Sequence, residues 1–517
     1  MSEATEVLYS DIKPRLKPYI HQQRIMPKLV DGMVGNGYHA LFMEMATGKT
    51  KVAIDAMMYM YKKGYIGGCV IVAPKSVCRE WVPGTSIGVC LNDPYPDSTQ
   101  CEKHFTIPFN SYLWDGKDTK KAQAEFESFM EAPGFSVFAV NIEAFSSVPM
   151  AMRLRLRAFM KSRKVVMAVD ESSFIKNSES SRTINVTLAR KYAYSAMIMT
   201  GTEIGRSIVD LYSQFEFLSP GFWGKTLSQF KLRYCIMRLE INPKNGRRYN
   251  KIIGAQRIDE MLSIIGGSTS RALKSECPDI PPKIFKTVYV DVTSDQKKII
   301  QSLKTIHAAK VCDTVIEIDG GASFINKARQ VLGGGVINRQ YDDNDQLSVD
   351  EVLWIDKNPP KLQALVDSIE DHSEQAIVWS VYSHELLLIA DRLKEFGEVV
   401  IYDGKHLNTR EEGKKRFVDG KARFFVGNPA AGAFGLNLQN CHIQYLYNAP
   451  TAPIVYNQMT DRTNRPGQAF DCLYISLVAR SSVDRRVQEL IKQGVDIMDA
   501  MKHVDLAQLE KLFNGDD

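Results

Sequence analysis

Met43-Glu44-Met45-Ala46-Thr47-Gly48-Lys49-Thr50 is the stretch on which the fold of this chain turns. A Gly-Lys-Thr turn between a strand and a helix can cradle phosphates on backbone N–H groups. The lysine then reaches the terminal phosphates and the threonine hydroxyl a magnesium ion. The triplet alone is common, and the full G-x-x-x-x-G-K-[ST] pattern fails because Met43 stands at its first glycine. The flanks decide. Residues 39–43 form a short apolar run with the character of a buried strand, and residues 51–61 carry apolar side chains at helical spacing that Gly64 would end. Strand, turn and helix is the context the motif requires.

The matching half lies downstream. Asp170-Glu171-Ser172-Ser173 follows the all-apolar run 165–169, the pattern of a strand covered on both faces of a parallel sheet. A carboxylate at such a strand end can hold the metal, and its neighbour can handle the attacking water. Together the two stretches read as an ATP site.

Around them the chain alternates. Apolar strand candidates fall at 40–43, 69–73, 137–140, 165–169 and 196–199, with amphipathic helical stretches between most of them. A second series follows at 376–380, 399–402, 424–427, 443–447 and 473–478. Strand–helix alternation argues for parallel, doubly wound sheets. The expected fold class is therefore α/β, with lobes at 1–204 and 351–517. Residues 205–350 break the rhythm and read as helical insertions, a basic hairpin and an inter-lobe linker. The polar, turn-rich segment 92–125 reads as a surface excursion.

Composition sets limits. At 517 residues the chain has room for about three domains or two large ones. It is 44% apolar and 24% charged, ordinary for a globular protein. No run of about 18 apolar residues exists to span a membrane. The polar, acidic start is no signal peptide. Nine scattered cysteines without a C-x-x-C argue against structural zinc and a disulfide framework, and fit a reducing, cytoplasmic setting. A net charge of +5 permits a nucleic-acid partner without demanding one.

The second half carries its own chemistry. In Gln458-Met-Thr-Asp-Arg462-Thr-Asn-Arg465-Pro-Gly-Gln468 two arginines stand three apart, and on a helix both would project from one face, with Gln458 a turn before Arg462. Planar guanidinium groups suit bidentate contact with phosphate. A lobe without a G-K-T of its own could lend them as arginine fingers to the other lobe's site.

In this order the motifs resemble the Swi/Snf-like family of superfamily-two helicases and DNA translocases. The resemblance covers roughly residues 14 to 490. It rests on Leu16-Lys-Pro-Tyr…His21-Gln22, Val70-Ile-Val-Ala-Pro74-Lys75-Ser76…Trp81, Thr200-Gly201-Thr202 and Ile280-Pro281-Pro282-Lys283. In the second lobe it rests on Tyr402-Asp403-Gly404, Ala431-Gly-Ala-Phe-Gly435-Leu-Asn437 and the arginine segment. The most discriminating stretch is Leu211-Tyr-Ser-Gln-Phe-Glu-Phe-Leu-Ser-Pro220-Gly221-Phe-Trp-Gly224.

The resemblance implies two RecA-like lobes and an ATPase using ATP with Mg²⁺ and double-stranded or branched DNA. Lys49, Asp170, Glu171, Arg462 and Arg465 would be catalytic, and Thr50 and Asp170 would hold the metal. Gln22, Glu44, Met45, Ala46, Thr47, Gly48, Lys49, Thr50 and Gln458 would contact the nucleotide. Pro74, Lys75, Thr200, Gly201, Asp403, Gly404, Gly435 and Asn437 would touch DNA. The looks are those of a bare motor, as found in phages and bacteria, working in a bacterial cytoplasm.

Three departures stand out. Ser172-Ser173 replaces the Ala-His or Gly-His that usually follows the acidic pair. Glu203 replaces the proline of Thr-Gly-Thr-Pro. Ala46-Thr47 occupies the place of Gly-Leu in the phosphate loop.

Between residues 225 and 257 nine Lys/Arg face one acid, Glu240, with Phe230, Tyr234 and Tyr249 interleaved. Cations neutralise phosphates and aromatics can stack on unpaired bases. Residues 237–254 read as a hairpin through Asn245-Gly246, with Arg247 and Arg248 at a DNA-contacting tip. Remodelling of branched or protein-bound DNA is the leading expectation. A single-strand helicase and an ATP-gated binding module remain the alternatives.

Overall fold

The computed structural model describes residues 3–82, 99–201, 208–241, 246–277, 280–341, 347–406, 409–432, 436–495 and 497. The chain divides into two compact units, Met1–Pro278 and Asp279–Asp517. The boundary falls inside the 205–350 segment, beside the Ile280-Pro281-Pro282-Lys283 stretch.

Unit 1 contains β1 (Tyr38–Met43), β2 (Gly68–Ala73), β3 (Phe109–Trp114), β4 (Phe135–Asn141), β5 (Val165–Asp170) and β6 (Ser195–Thr200). It continues with β7 (Cys235–Ile241), β8 (Arg248–Ala255) and β9 (Thr269–Ala272). Seven of these form one sheet in the order β3-β4-β2-β5-β6-β1-β9, parallel throughout. Side chains alternate between two cores. Leu41, Ile71, Val137, Ala168 and Met199 face one, while Phe42, Val70, Phe138, Val169 and Ile198 face the other. That double burial is why each strand reads as an unbroken apolar run.

Unit 2 contains β10 (Lys283–Val290), β11 (Ala308–Val311), β12 (Thr314–Glu317), β13 (Gly335–Tyr341) and β14 (Leu347–Trp354). Then come β15 (Ala376–Ser380), β16 (Val399–Tyr402), β17 (Phe424–Gly427), β18 (Ile443–Asn448) and β19 (Cys472–Ala479). Its main sheet runs β10-β19-β18-β15-β17-β16, again parallel. Both units are thus doubly wound α/β sheets of the RecA-like type.

Two sequence readings are corrected. Residues 109–114, placed in a surface excursion, are the edge strand β3, paired along its whole length with β4. Asn110 and Ser111 interrupt its apolar run and hide it, and Asn110 donates from Nδ2 to Pro133 O at 3.0 Å. The 205–350 segment is more than helices. It supplies β9 to the first sheet and β10 to the second, plus the hairpins β11–β12 and β13–β14, while the expected basic hairpin forms as β7–β8.

Candidate nucleotide site

The site in unit 1 forms at the carboxyl edge of its sheet, where open α/β sheets place their ligands. The phosphate turn leaves β1 and enters the helix Lys49–Lys62 through Gly48, whose φ is 81°. The left-handed backbone there favours glycine, and a Cβ would press on the Gln22 amide at 2.3 Å. Ala46 also takes a left-handed φ, 67°. The glycine favoured there in the family adopts that conformation freely, whereas an L side chain pays roughly 1–2 kcal/mol.

Backbone capture fixes the turn. Gln22 donates from Nε2 to Thr47 O at 3.0 Å, and its Oε1 accepts from Tyr19 N at 3.0 Å. His21 Nε2 lies 2.8 Å from the same Thr47 carbonyl, which can only accept. Thr47 Oγ1 donates to Glu44 O at 2.7 Å. The Glu44 carboxylate accepts the Lys274 backbone N–H at 2.5 Å, so its side chain anchors the loop. Gln22, expected to contact the nucleotide, has its amide engaged with the turn.

Asp170 ends β5, and register sets Asp170 beside Met199 and Phe42 beside Thr200 on the neighbouring strands. A Cβ on Gly201 would stand 3.2 Å from Met45 Cγ and 3.6 Å from Lys49 Nζ. Gly201, expected as a DNA contact, therefore lies against this turn, while Thr200, also expected there, is buried at the end of β6. The Asp170 carboxylate accepts Trp81 Nε1 at 2.9 Å and Glu171 N at 3.0 Å. Burial pushes its pKa above the ordinary carboxylate range, while Trp81, Lys49 and the Glu171 N–H pull against that shift. Glu171 is itself buried and held at φ 53°, a left-handed strain characteristic of functional turns.

Two contacts escaped the sequence reading. Trp81 carries a motif position, but its indole N–H on Asp170 spans 89 residues. Ser172, standing just before the expected histidine position, is buried and donates to Gln214 Oε1 at 2.6 Å. Gln214 belongs to the helix Asp210–Leu218, within the discriminating stretch 211–224. A family-specific segment next to an acidic pair was the available signal. Pro74 caps the helix Lys75–Trp81, which Lys75 begins. Thr50 lies in the first turn of its helix.

In unit 2 the arginines do not share a helix face. The helix Pro453–Thr460 stops before them, and Asp461–Thr463 form a turn. Gln458 remains helical, and its carbonyl accepts Arg462 Nε at 3.0 Å. Arg462 is buried and also donates from Nη1 to Leu436 O at 3.1 Å. Arg465 donates from Nε to Asp461 O at 3.2 Å. The turn is braced by the Pro-Pro-Lys segment. Lys283 Nζ bonds Asp461 Oδ1 at 2.6 Å, and Asn464 Nδ2 donates to Pro281 O at 2.6 Å.

Asp403 follows β16, and its Oδ1 accepts the Lys405 and His406 N–H groups at 2.9 and 2.8 Å. Burial raises its carboxyl, but the His406 and Lys405 donors outweigh that, and the pKa falls below the ordinary value. The side chain thus shapes its own loop. Around Gly404 there is open space, and Asn437 is exposed. Gly435, Thr202 and Glu203 lie outside the described residues.

Two doubly wound units, one with a phosphate turn facing a paired carboxylate and one with an arginine turn, define the class: a helicase-family ATPase core. The SNF2-related domain matches residues 36–347 and the helicase conserved C-terminal domain residues 360–467, and the chain belongs to the SNF2-related family. Protein CHROMATIN REMODELING 4 of Arabidopsis thaliana is 24% identical over 87% of this chain and 19% of its own length. The uncharacterized ATP-dependent helicase YqhH of Bacillus subtilis (strain 168) is 21% identical over 94% of this chain and 80% of its own. The SWI2/SNF2 ATPase core of Sulfolobus solfataricus, solved in complex with dsDNA, aligns over 98% of both chains at 17% identity and a TM-score of 0.39. The chain spans 19% and 47% of the first two curated relatives it matches, the Arabidopsis protein and a Xenopus tropicalis SWI/SNF-related regulator of chromatin. No helix among the described residues is long and apolar enough to cross a membrane.

Proposed function

We propose that this chain is a DNA-stimulated ATPase that moves along double-stranded DNA and remodels branched or protein-bound DNA, by fork regression, branch migration or annealing. The observation that carries the reading is the convergence at the carboxyl edge of unit 1. There the Lys49 amine stands beside Gly201 and within electrostatic reach of the buried Asp170 carboxylate. The relatives named as an ATP-dependent helicase and as chromatin remodelling proteins support it.

The residues fit ATP with Mg²⁺. The turn passes through Gly48 at a left-handed φ of 81°, and one amine and one buried carboxylate flank it. Bound there, ATP would supply the transferable γ-phosphoryl group and the metal would supply charge neutralisation. Lys49 would hold the β- and γ-phosphates, Thr50 and Asp170 would hold the metal, and Glu171 would orient the attacking water. Met45, Ala46, Thr47 and Gly48 shape the turn that Gln22 and Glu44 anchor. Arg462 and Arg465, with Gln458 behind them, serve as arginine fingers from the second lobe. In this scheme 1–204 is the ATP lobe, 205–350 the insertions and linker, and 351–517 the arginine lobe. Pro74, Lys75, Thr200, Gly201, Asp403, Gly404, Gly435 and Asn437 track the DNA, with the motor working in a bacterial cytoplasm.

Steady-state ATPase with duplex, single-stranded, forked and four-way-junction DNA side by side tests it. Stimulation by duplex and branched DNA is expected. Stimulation by single strands alone identifies a single-strand helicase. Turnover with none of them identifies an ATP-gated binding module.

A further inference from the structure

The basic hairpin has two unlike faces. β7 and β8 pair only with each other among the described residues. Register puts Arg238 opposite Lys251 and Glu240 opposite Tyr249 on one face. There Glu240 accepts Arg238 at 2.6 Å, Lys251 at 3.3 Å and the Tyr249 hydroxyl at 3.1 Å. That face satisfies its own charges.

The other face carries Met237, Leu239 and Ile241, opposite Ile252, Asn250 and Arg248. Its base packs on the unit 1 core through Met237 and Ile252. Beyond the core the ridge continues into solvent, with Leu239 59% and Ile241 62% exposed. A two-stranded ribbon cannot bury such a ridge by itself. Arg247 and Arg248 stand exposed on the returning arm, and Ile241 faces Arg248 directly. Over residues 235–255 the chain has five cations and one acid.

The aromatics of this segment do not share the role expected for them. Phe230 and Tyr234 are core residues, with the Phe230 and Trp223 rings 4.8 Å apart. Tyr249 is tied to Glu240 on the opposite face.

We propose that the Leu239–Ile241 ridge is a wedge for branched DNA. The two aliphatic side chains enter between bases at the branch point, while Arg247 and Arg248 take the flanking phosphates. Aliphatic wedges unstack base steps elsewhere by the same physics, and a cationic rim supplies the sequence-independent attraction. A narrow ridge two side chains long, edged with cations, matches the gap between parted bases better than the broad apolar patch of a protein interface. The inference rests on the DNA reading above and names the face of the hairpin that acts.

The test is Leu239→Ser with Ile241→Ser, two exposed positions, so the fold is kept. Without ATP, a fork carrying 2-aminopurine at its branch is mixed with each protein. The parent brightens the probe by unstacking it, and the double variant loses most of that rise. With ATP, processing of forks and four-way junctions falls about tenfold, while duplex-stimulated ATPase stays within about twofold. Arg247→Ala with Arg248→Ala instead weakens fork binding and lowers its salt slope by up to about two. Unchanged probe fluorescence and branch processing in the Leu239/Ile241 variant overturns the wedge. So does loss of self-association or of a bound protein in that variant with DNA behaviour intact, since the ridge is then a protein contact. Because the fluorescence arm needs no ATP, failure of the motor reading shows separately, as absence of DNA-stimulated turnover in the parent.

Discussion

The carboxyl edge of the first sheet and the arginine turn of the second unit hold their charged groups in opposite ways. In unit 1 the frame is fixed and the chemistry stands on it. Thr47 O is held by His21 and Gln22, Glu44 by the Lys274 backbone, and Asp170 by Trp81. In unit 2 the guanidinium groups are themselves engaged, with Arg462 on the Gln458 and Leu436 carbonyls and Arg465 on the Asp461 carbonyl. One site is organised ahead of its ligand. The other ties its guanidinium groups to backbone carbonyls of its own unit.

The arginines give the largest expected effect and the sharpest break in the comparison. Arg465→Ala should lower kcat by ~10³ or more, the range of an arginine finger, and leave the melting temperature of the protein near that of the parent. Arg462→Ala should lower kcat and stability together. It strips donors from two carbonyls around a buried side chain, a cost of roughly 1–3 kcal/mol. ATPase kinetics with thermal melting on both variants separates the roles. Full activity in either variant removes that arginine from the chemistry.

Lys49→Ala and Glu171→Gln come next. Each should reduce turnover about 10²–10³-fold, as loss of one preorganised electrostatic group does. Glu171→Gln should still bind ATP, measured by fluorescent-nucleotide titration, because Gly48, Lys49 and the anchoring of Thr47 are untouched. A normal hydrolysis rate in Glu171→Gln defeats its assignment to water.

Trp81→Phe probes how far the frame tunes the chemistry. Burial already raises the Asp170 carboxyl, and the indole donor favours its ionised form. Removing that donor raises the pKa further. If ionised Asp170 holds the metal, activity is present above that pKa and lost below it, so the acid limb of kcat/KM should move to higher pH. A hydrogen bond of about 1 kcal/mol corresponds to somewhat under one pH unit. An acid limb that stays put separates Asp170 from metal binding.

Much of the fold was legible because both sheets are parallel and covered on both faces. A strand buried that way must be apolar throughout, and all ten expected runs became strands of the two main sheets. The edge strand Phe109–Trp114 escaped because an edge tolerates Asn110 and Ser111 in mid-strand. The hairpin strands were visible in their charge and alternation, while Asn245 of the expected turn lies outside the described residues. Which of the hairpin's faces packs on the core was not visible, because period two names two faces without saying which one the core covers.

The sequence by itself determined the alternation of strands and helices, the Gly48-Lys49-Thr50 turn, the Asp170-Glu171 pair and the order of the motifs. These depend on neighbours within a few residues, where periodicity and turn chemistry act. The tertiary structure alone decided that Phe230 and Tyr234 go to the core and that the helix Pro453–Thr460 ends before Arg462. It also decided that Lys283 and Pro281 brace the arginine turn, Trp81 reaches Asp170 and Ser172 reaches Gln214. Those partners are separated by 42 to 183 residues. No local pattern encodes a hydrogen bond across such a gap; it exists only once the sheets have brought the two ends together.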